Sequence, residues 1–122
     1  MAALKIAFET PDNPANASPV GRRPIDFVEL GKQTMGDKGL EIEVLQLFAR
    51  QARRTMGELS DADTDGCGQS AHRLKGAALA VGATRVAEAA AAIERRPADW
   101  DLRAALGAAV LEAELFILKL CR

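Results

Sequence analysis

The sequence predicts an all-α fold. Two observations carry the prediction: from Ile25 to the end, apolar residues recur at three- and four-residue spacing, and the breakers fall between such stretches, at Gly36-Asp37, Asp61 to Gly66, Gly82-Ala83 and Pro97 to Asp99. The length sets the scale, because 122 residues suffice for one domain with its own core and are too few for two ordinary ones.

The elements can be taken in chain order. Residues 1–23 are expected to be a leader, since Thr10 to Pro24 is a cluster of prolines, asparagines, glycine and serine that cannot continue a helix or strand. Within it Leu4, Ile6 and Phe8 alternate and could dock as a short extended piece. The folded domain is expected over residues 24–122. A short helix runs from Ile25 to about Thr34, and Asp37 is placed to cap a second helix, Leu40 to Leu59. Leu40, Val44, Leu47, Phe48, Ala52 and Met56 supply its apolar stripe, with Arg50, Arg53 and Arg54 on a solvated face. Ser60 to Gly66 reads as an inter-helix turn. Its alternating acidic residues resemble a calcium loop only superficially, because the twelfth position from Asp61, where such a loop needs glutamate, is His72.

The third helix is expected from Gly68 to Val81, with Ala71, Leu74, Ala78 and Val81 turned inward and Gln69, His72, Lys75, Gly76 and Leu79 on another side. Gly82 suits the C-terminal cap and Thr84 the next N-terminal one. The alanine-rich fourth helix offers little bulk. A fifth, from about Asp99 to Leu120, carries Leu102, Leu106, Val110, Leu111, Leu115, Phe116, Ile117, Leu118 and Leu120 to close the bundle, with Asp99 as cap and Trp100 packed at the bundle end.

Composition removes several function classes. Hydrophobic residues at 48% and charged residues at 27% describe a chain able to fold alone, and 16 basic against 17 acidic residues argue against a nucleic-acid surface or a polybasic membrane patch. Cys67, Cys121 and His72 are the only cysteines and histidine, one ligand short of a structural zinc set. No metal and no intrinsic cofactor are therefore expected. The absence of a signal-like or membrane-spanning run points to the cytoplasm.

His72 is the candidate nucleophile, since a neutral imidazole offers a lone pair to an electrophile near neutral pH. Lys75 and Gly76, three and four residues on, share its side of the helix. The lysine brings a cation and the glycine leaves space, which is what a phosphoryl group on the ring requires. A glycine inside a helix costs about 1 kcal/mol relative to alanine. That cost has two readings here: close approach of a partner, or close approach of a neighbouring helix.

The string Ala71-His72-Arg73-Leu74-Lys75-Gly76-Ala77-Ala78, followed by Val81-Gly82-Ala83 and Ala92-Ile93-Glu94, resembles the histidine-containing phosphotransfer (HPt) domain family. The upstream Pro24 to Leu30, Met35-Gly36-Asp37 and Leu45 to Phe48 are similar to the opening of such domains. The resemblance implies an antiparallel up-down four-helix bundle with an additional short N-terminal covering helix. It implies that His72 accepts a phosphoryl group from a receiver-domain aspartyl phosphate and passes it to another receiver domain. Partners would be receiver domains of hybrid histidine kinases and response regulators, with Mg²⁺ on the partner, and Gln69, Arg73 and Leu79 contacting it. The chain would be a monomeric phosphocarrier and not an enzyme, since it shows no Walker-type loop or nucleotide-binding lobe. The alternative is a helical module that regulates a kinase or receiver by contact alone.

Glu94 completes the candidate set. Ten helical steps separate His72 from Gly82 and twelve separate Gly82 from Glu94. At 1.5 Å per residue the two travels differ by about 3 Å, so antiparallel packing sets Glu94 nearly level with His72. The resemblance implies a hydrogen bond from the imidazole to a glutamate or glutamine at this place; the other reading is a surface glutamate paired with Arg95 or Arg96.

Overall fold

The computed structural model describes residues 23–61 and 63–121. The suggested docking of Leu4, Ile6 and Phe8 lies outside them. The described residues form five helices, α1 (Phe27–Thr34), α2 (Lys38–Asp61), α3 (Thr64–Val81), α4 (Thr84–Arg95) and α5 (Trp100–Leu120), and contain no strand. Contacts run α2 to α3, α3 to α4, α4 to α5 and α5 back to α2, while α1 rests on α3 and α2.

Caps set the helix ends. Asp26 accepts from the Val28 amide at 2.9 Å, Asp37 from Leu40 at 3.0 Å and Asp99 from Asp101 at 3.0 Å, each satisfying a first-turn N–H that the helix leaves open. Two expectations are corrected here. The acidic segment is mostly helix, because α2 continues to Asp61 and Asp63 caps α3 by accepting from Gly66 at 2.8 Å, so α3 begins four residues before Gly68. Thr84 is not the cap of α4: that position is Ala83, and the Thr84 hydroxyl turns back to donate to the Gly82 carbonyl at 3.3 Å.

The inward stripe of α2 is Glu41, Leu45, Phe48, Ala52, Thr55 and Leu59, all buried, whereas Leu40 and Leu47 are exposed. Local hydrogen bonding explains the difference from the predicted stripe. Thr55 donates to the Gln51 carbonyl at 3.0 Å, and Thr34 donates to Leu30 at 3.1 Å beside Glu41, so these polar groups enter the core already partnered. In α5 the inward residues are Leu106, Val110, Ala113 and Ile117, and Leu111, Leu115 and Leu118 face outward. Trp100 is exposed and does not pack at the bundle end; the Arg103 guanidinium lies over its ring at 3.8 Å. Arg103 also donates to the Leu59 and Pro97 carbonyls, joining the end of α2 to the start of α5. Arg50 and Arg54 are solvated as expected, but Arg53 crosses to Glu114 on α5, with Nε 3.1 Å from a carboxylate oxygen.

The α3–α4 turn ties three helices together. Gly82 closes α3 in the left-handed region at φ 77°, and its carbonyl accepts the Asp26 N–H at 2.7 Å, which anchors the start of α1. Ala71, Ala78, Ala83, Ala87 and Ala90 are buried around this hairpin, and their small side chains let α3 and α4 come close.

Gly82→Ala is expected to destabilise the protein by about 2 kcal/mol or more, because a Cβ there meets the Asp26 backbone oxygen and a left-handed φ strains any other residue. Urea denaturation of the two proteins measures it; an unchanged midpoint would mean the turn tolerates a side chain.

Candidate functional site

His72 stands midway along α3 on the side opposite its buried row of Cys67, Ser70, Ala71, Leu74, Ala78 and Val81, and its side chain is 68% exposed. A core histidine satisfied by burial is therefore not what the helix presents. Glu94 sits in the last turn of α4 and reaches across the hairpin: its Oε2 is 2.7 Å from His72 Nδ1. Its other oxygen, Oε1, is sealed from solvent and lies 2.7 Å from Lys75 Nζ. One carboxylate thus holds both α3 side chains, and Arg95 and Arg96 do not compete for it.

Electrostatics decide the ring's protonation pattern. The Lys75 ammonium first, and then the contact with His72, pull the Glu94 carboxyl below the usual carboxylate range against the opposing effect of burial. An ionised carboxylate can only accept, so the short contact requires the proton to be on Nδ1. In the neutral ring the lone pair is then on Nε2. The carboxylate fixes the tautomer and the ring's direction together.

Gly76, one turn beyond His72, faces open space: a Cβ built there meets nothing within 4 Å. Of the two readings of this glycine, close approach of a neighbouring helix is removed. Gln69 and Leu79 are exposed on the same side of α3, with Leu79 at 55%. Arg73 is less free, because its guanidinium donates to Glu58 on α2 and to Ser70 Oγ, both at 3.2 Å.

Thr64, Asp65, Gly68, Gln69 and Arg73 of α3, together with Glu94 and Pro97, line an open cleft of about 610 Å³ with His72 in its wall. Sequence reasoning missed Asp65, Gly68 and Pro97. Gly68 lies four residues before His72, as Gly76 lies four after it. That symmetry was legible, but with the helix expected to begin at Gly68 the residue looked like a terminus. Among the described residues no group of three or more histidine, cysteine or acidic side chains is arranged to hold a metal ion.

A family model, that of the Hpt domain, matches residues 43–115, more than half of the chain. The chain belongs to the Hpt domain family. The matched span includes His72, Lys75, Gly76 and Glu94, and leaves α1 outside. Membership brings histidine phosphotransfer in two-component systems, and Hpt domains interact with receiver domains of kinases and response regulators. Searches of curated proteins and of solved structures gave no match. Among the described residues of this Hpt protein, no helix is long and apolar enough to cross a membrane.

The lowered Glu94 value has a signed consequence. Its contribution to stability is fully present above the ordinary carboxylate range and is lost as pH falls through the lowered folded value. Wild type should therefore exceed Glu94→Gln in stability near neutral pH, and the gap should narrow as pH falls below the ordinary carboxylate range. Urea midpoints of both proteins across that range test it; a gap independent of pH would remove the charge from the explanation.

Proposed function

We propose that the protein is a phosphocarrier in a two-component relay, taking a phosphoryl group on His72 from the aspartyl phosphate of one receiver domain and delivering it to the aspartate of another. The observation that carries this reading is the 2.7 Å contact of Nδ1 with an ionised Glu94 on an otherwise exposed ring. It leaves one nitrogen, Nε2, unprotonated and facing the solvent.

In the forward step the Nε2 lone pair attacks phosphorus, the N–P bond forms, and the P–O bond to the receiver's aspartate breaks, returning that side chain as a carboxylate. The ring keeps its Nδ1 proton and becomes cationic, and Glu94 offsets that charge. Lys75 holds Glu94 in the resting chain and supplies an ammonium within reach of the site, for which the phosphoryl oxygens compete once attached. Gly76 leaves room for the delivering carboxylate, and Gln69, Arg73 and Leu79 contact the receiver. Mg²⁺ held by the partner receiver would supply neutralisation of the phosphate charge. The reverse step uses the same atoms.

This role needs a carrier without a nucleotide site. It fits an antiparallel up-down bundle of α2 to α5 with α1 covering one end, working as a monomer in the cytoplasm.

His72→Gln should fold with stability within about 1 kcal/mol of wild type, as expected of an exposed position, and accept no label from any phosphorylated receiver. The chain has one histidine, so acid-labile, base-stable label on the variant would refute the assignment. Lys75→Ala should slow transfer roughly tenfold, from the loss of a charge-assisted contact on the order of 1.5 kcal/mol. Equal rates in stopped-flow transfer would exclude Lys75 from the reaction.

A further inference from the structure

The surroundings of His72 are not alike on its two sides. Toward the C-terminus of α3 the exposed face continues over Gly76 to Leu79, an apolar side chain standing clear of the bundle. Toward the N-terminus it continues over Gly68 to Asp65, and there the surface falls into the cleft that Pro97 closes from the α4–α5 corner.

Gly68 is one helical turn before His72 on its exposed side, well inside α3, where glycine weakens a helix. Internal packing does not require it, because a Cβ built there meets nothing within 4 Å. Any larger side chain would stand in the cleft beside the imidazole.

The charges lining the cleft point the same way. Arg73 is paired with Glu58, and Glu94 is shared between His72 and Lys75, so these are matched within the chain. Asp65 is exposed, and its side chain makes no hydrogen bond or ion pair among the described residues. The unmatched charge in the wall of the cleft is therefore negative. A partner seated there gains by bringing a cation.

We infer that the receiver domain, besides covering Gly76 and Leu79, extends over the Gly68 side of His72, seating a segment in the cleft over Gly68 and placing a lysine or arginine against Asp65. This rests on the phosphotransfer reading of His72 and adds a second contact region and its charge. Gly68 and Asp65 do not touch the reacting atoms; they determine which partners reach them. Asp65 in the first turn also suits the helix dipole, so its test must separate docking from folding.

Two phosphoryl donors make that separation with the full chain. Phosphoramidate is small enough to reach His72 without docking, whereas a phosphorylated receiver, chosen from a panel as a donor to wild type, must seat. Gly68→Gln and Asp65→Lys are expected to lower kcat/KM from the receiver about tenfold, equivalent to ~1.4 kcal/mol of docking free energy, and to leave the phosphoramidate rate unchanged. The Asp65→Asn effect should be smaller and should fade as salt is raised, as for a charge at an interface rim. Thermal melting should show Gly68→Gln no less stable than wild type. Receiver transfer unchanged in Gly68→Gln and Asp65→Lys would overturn the inference, and so would equal losses with both donors, which would locate the effect on the imidazole itself. Failure of wild type to take label from either donor would instead sink the phosphotransfer reading, and this one with it.

Discussion

The register between α3 and α4 is what the site depends on, and it is set at Gly82. This residue ends α3 in a left-handed conformation, gives its carbonyl to the Asp26 amide, and sends the chain back within one residue into α4. From that point the two helices measure off matching lengths, and Glu94 arrives beside His72. Each residue of an α-helix turns the next by about 100°, so one residue added between Gly82 and Glu94 would carry the carboxylate off the imidazole's side altogether. The turn also recruits α1, so the N-terminal helix and the reactive hairpin share a single anchoring point.

Within that frame a single carboxylate does two jobs. Lys75 favours the ionised form of Glu94, and an ionised Glu94 keeps the ring proton on Nδ1. The lysine thereby acts on the imidazole without touching it. Under the proposed function the same ammonium would also meet the arriving phosphoryl oxygens, and the two roles would belong to successive states. In the proposed transfer it would balance the carboxylate beforehand, and afterwards the carboxylate would have a cationic imidazole to balance instead.

Much of this was legible in the sequence because helical spacing and caps are local properties. Asp37, Asp99 and Gly82 could be read as helix ends from their own chemistry, and step counting around Gly82 brought Glu94 level with His72. Three features were not legible. The Asp61 to Asp65 run offers several aspartates of equal capping ability, so the residue that starts α3 is chosen by how α2 ends. In α5 leucines occur around the whole circumference, and hydropathy cannot say that Leu106 faces in while Leu111 faces out. In α2 the inward Glu41 and Thr55 run against the polarity rule, because their partners lie in α1, in the adjoining turn or one helical turn back. The cleft beside His72 was missed for a related reason: Pro97 comes from the α4–α5 corner, and only the fold brings it to α3.

The alanines of the hairpin give the site a wider footprint than its contact residues. Ala87 and Ala90 are buried and do not line the cleft beside His72, yet their small volume contributes to how near α4 lies to α3. Exchanging either for valine would thicken the seam between the helices and lift the last turn of α4, and the 2.7 Å contact leaves no slack to absorb it. The tolerance of the imidazole's orientation is thus governed by methyl-sized volumes in the interior. Such positions look like ordinary core, yet their volume is transmitted to the direction of an exposed ring.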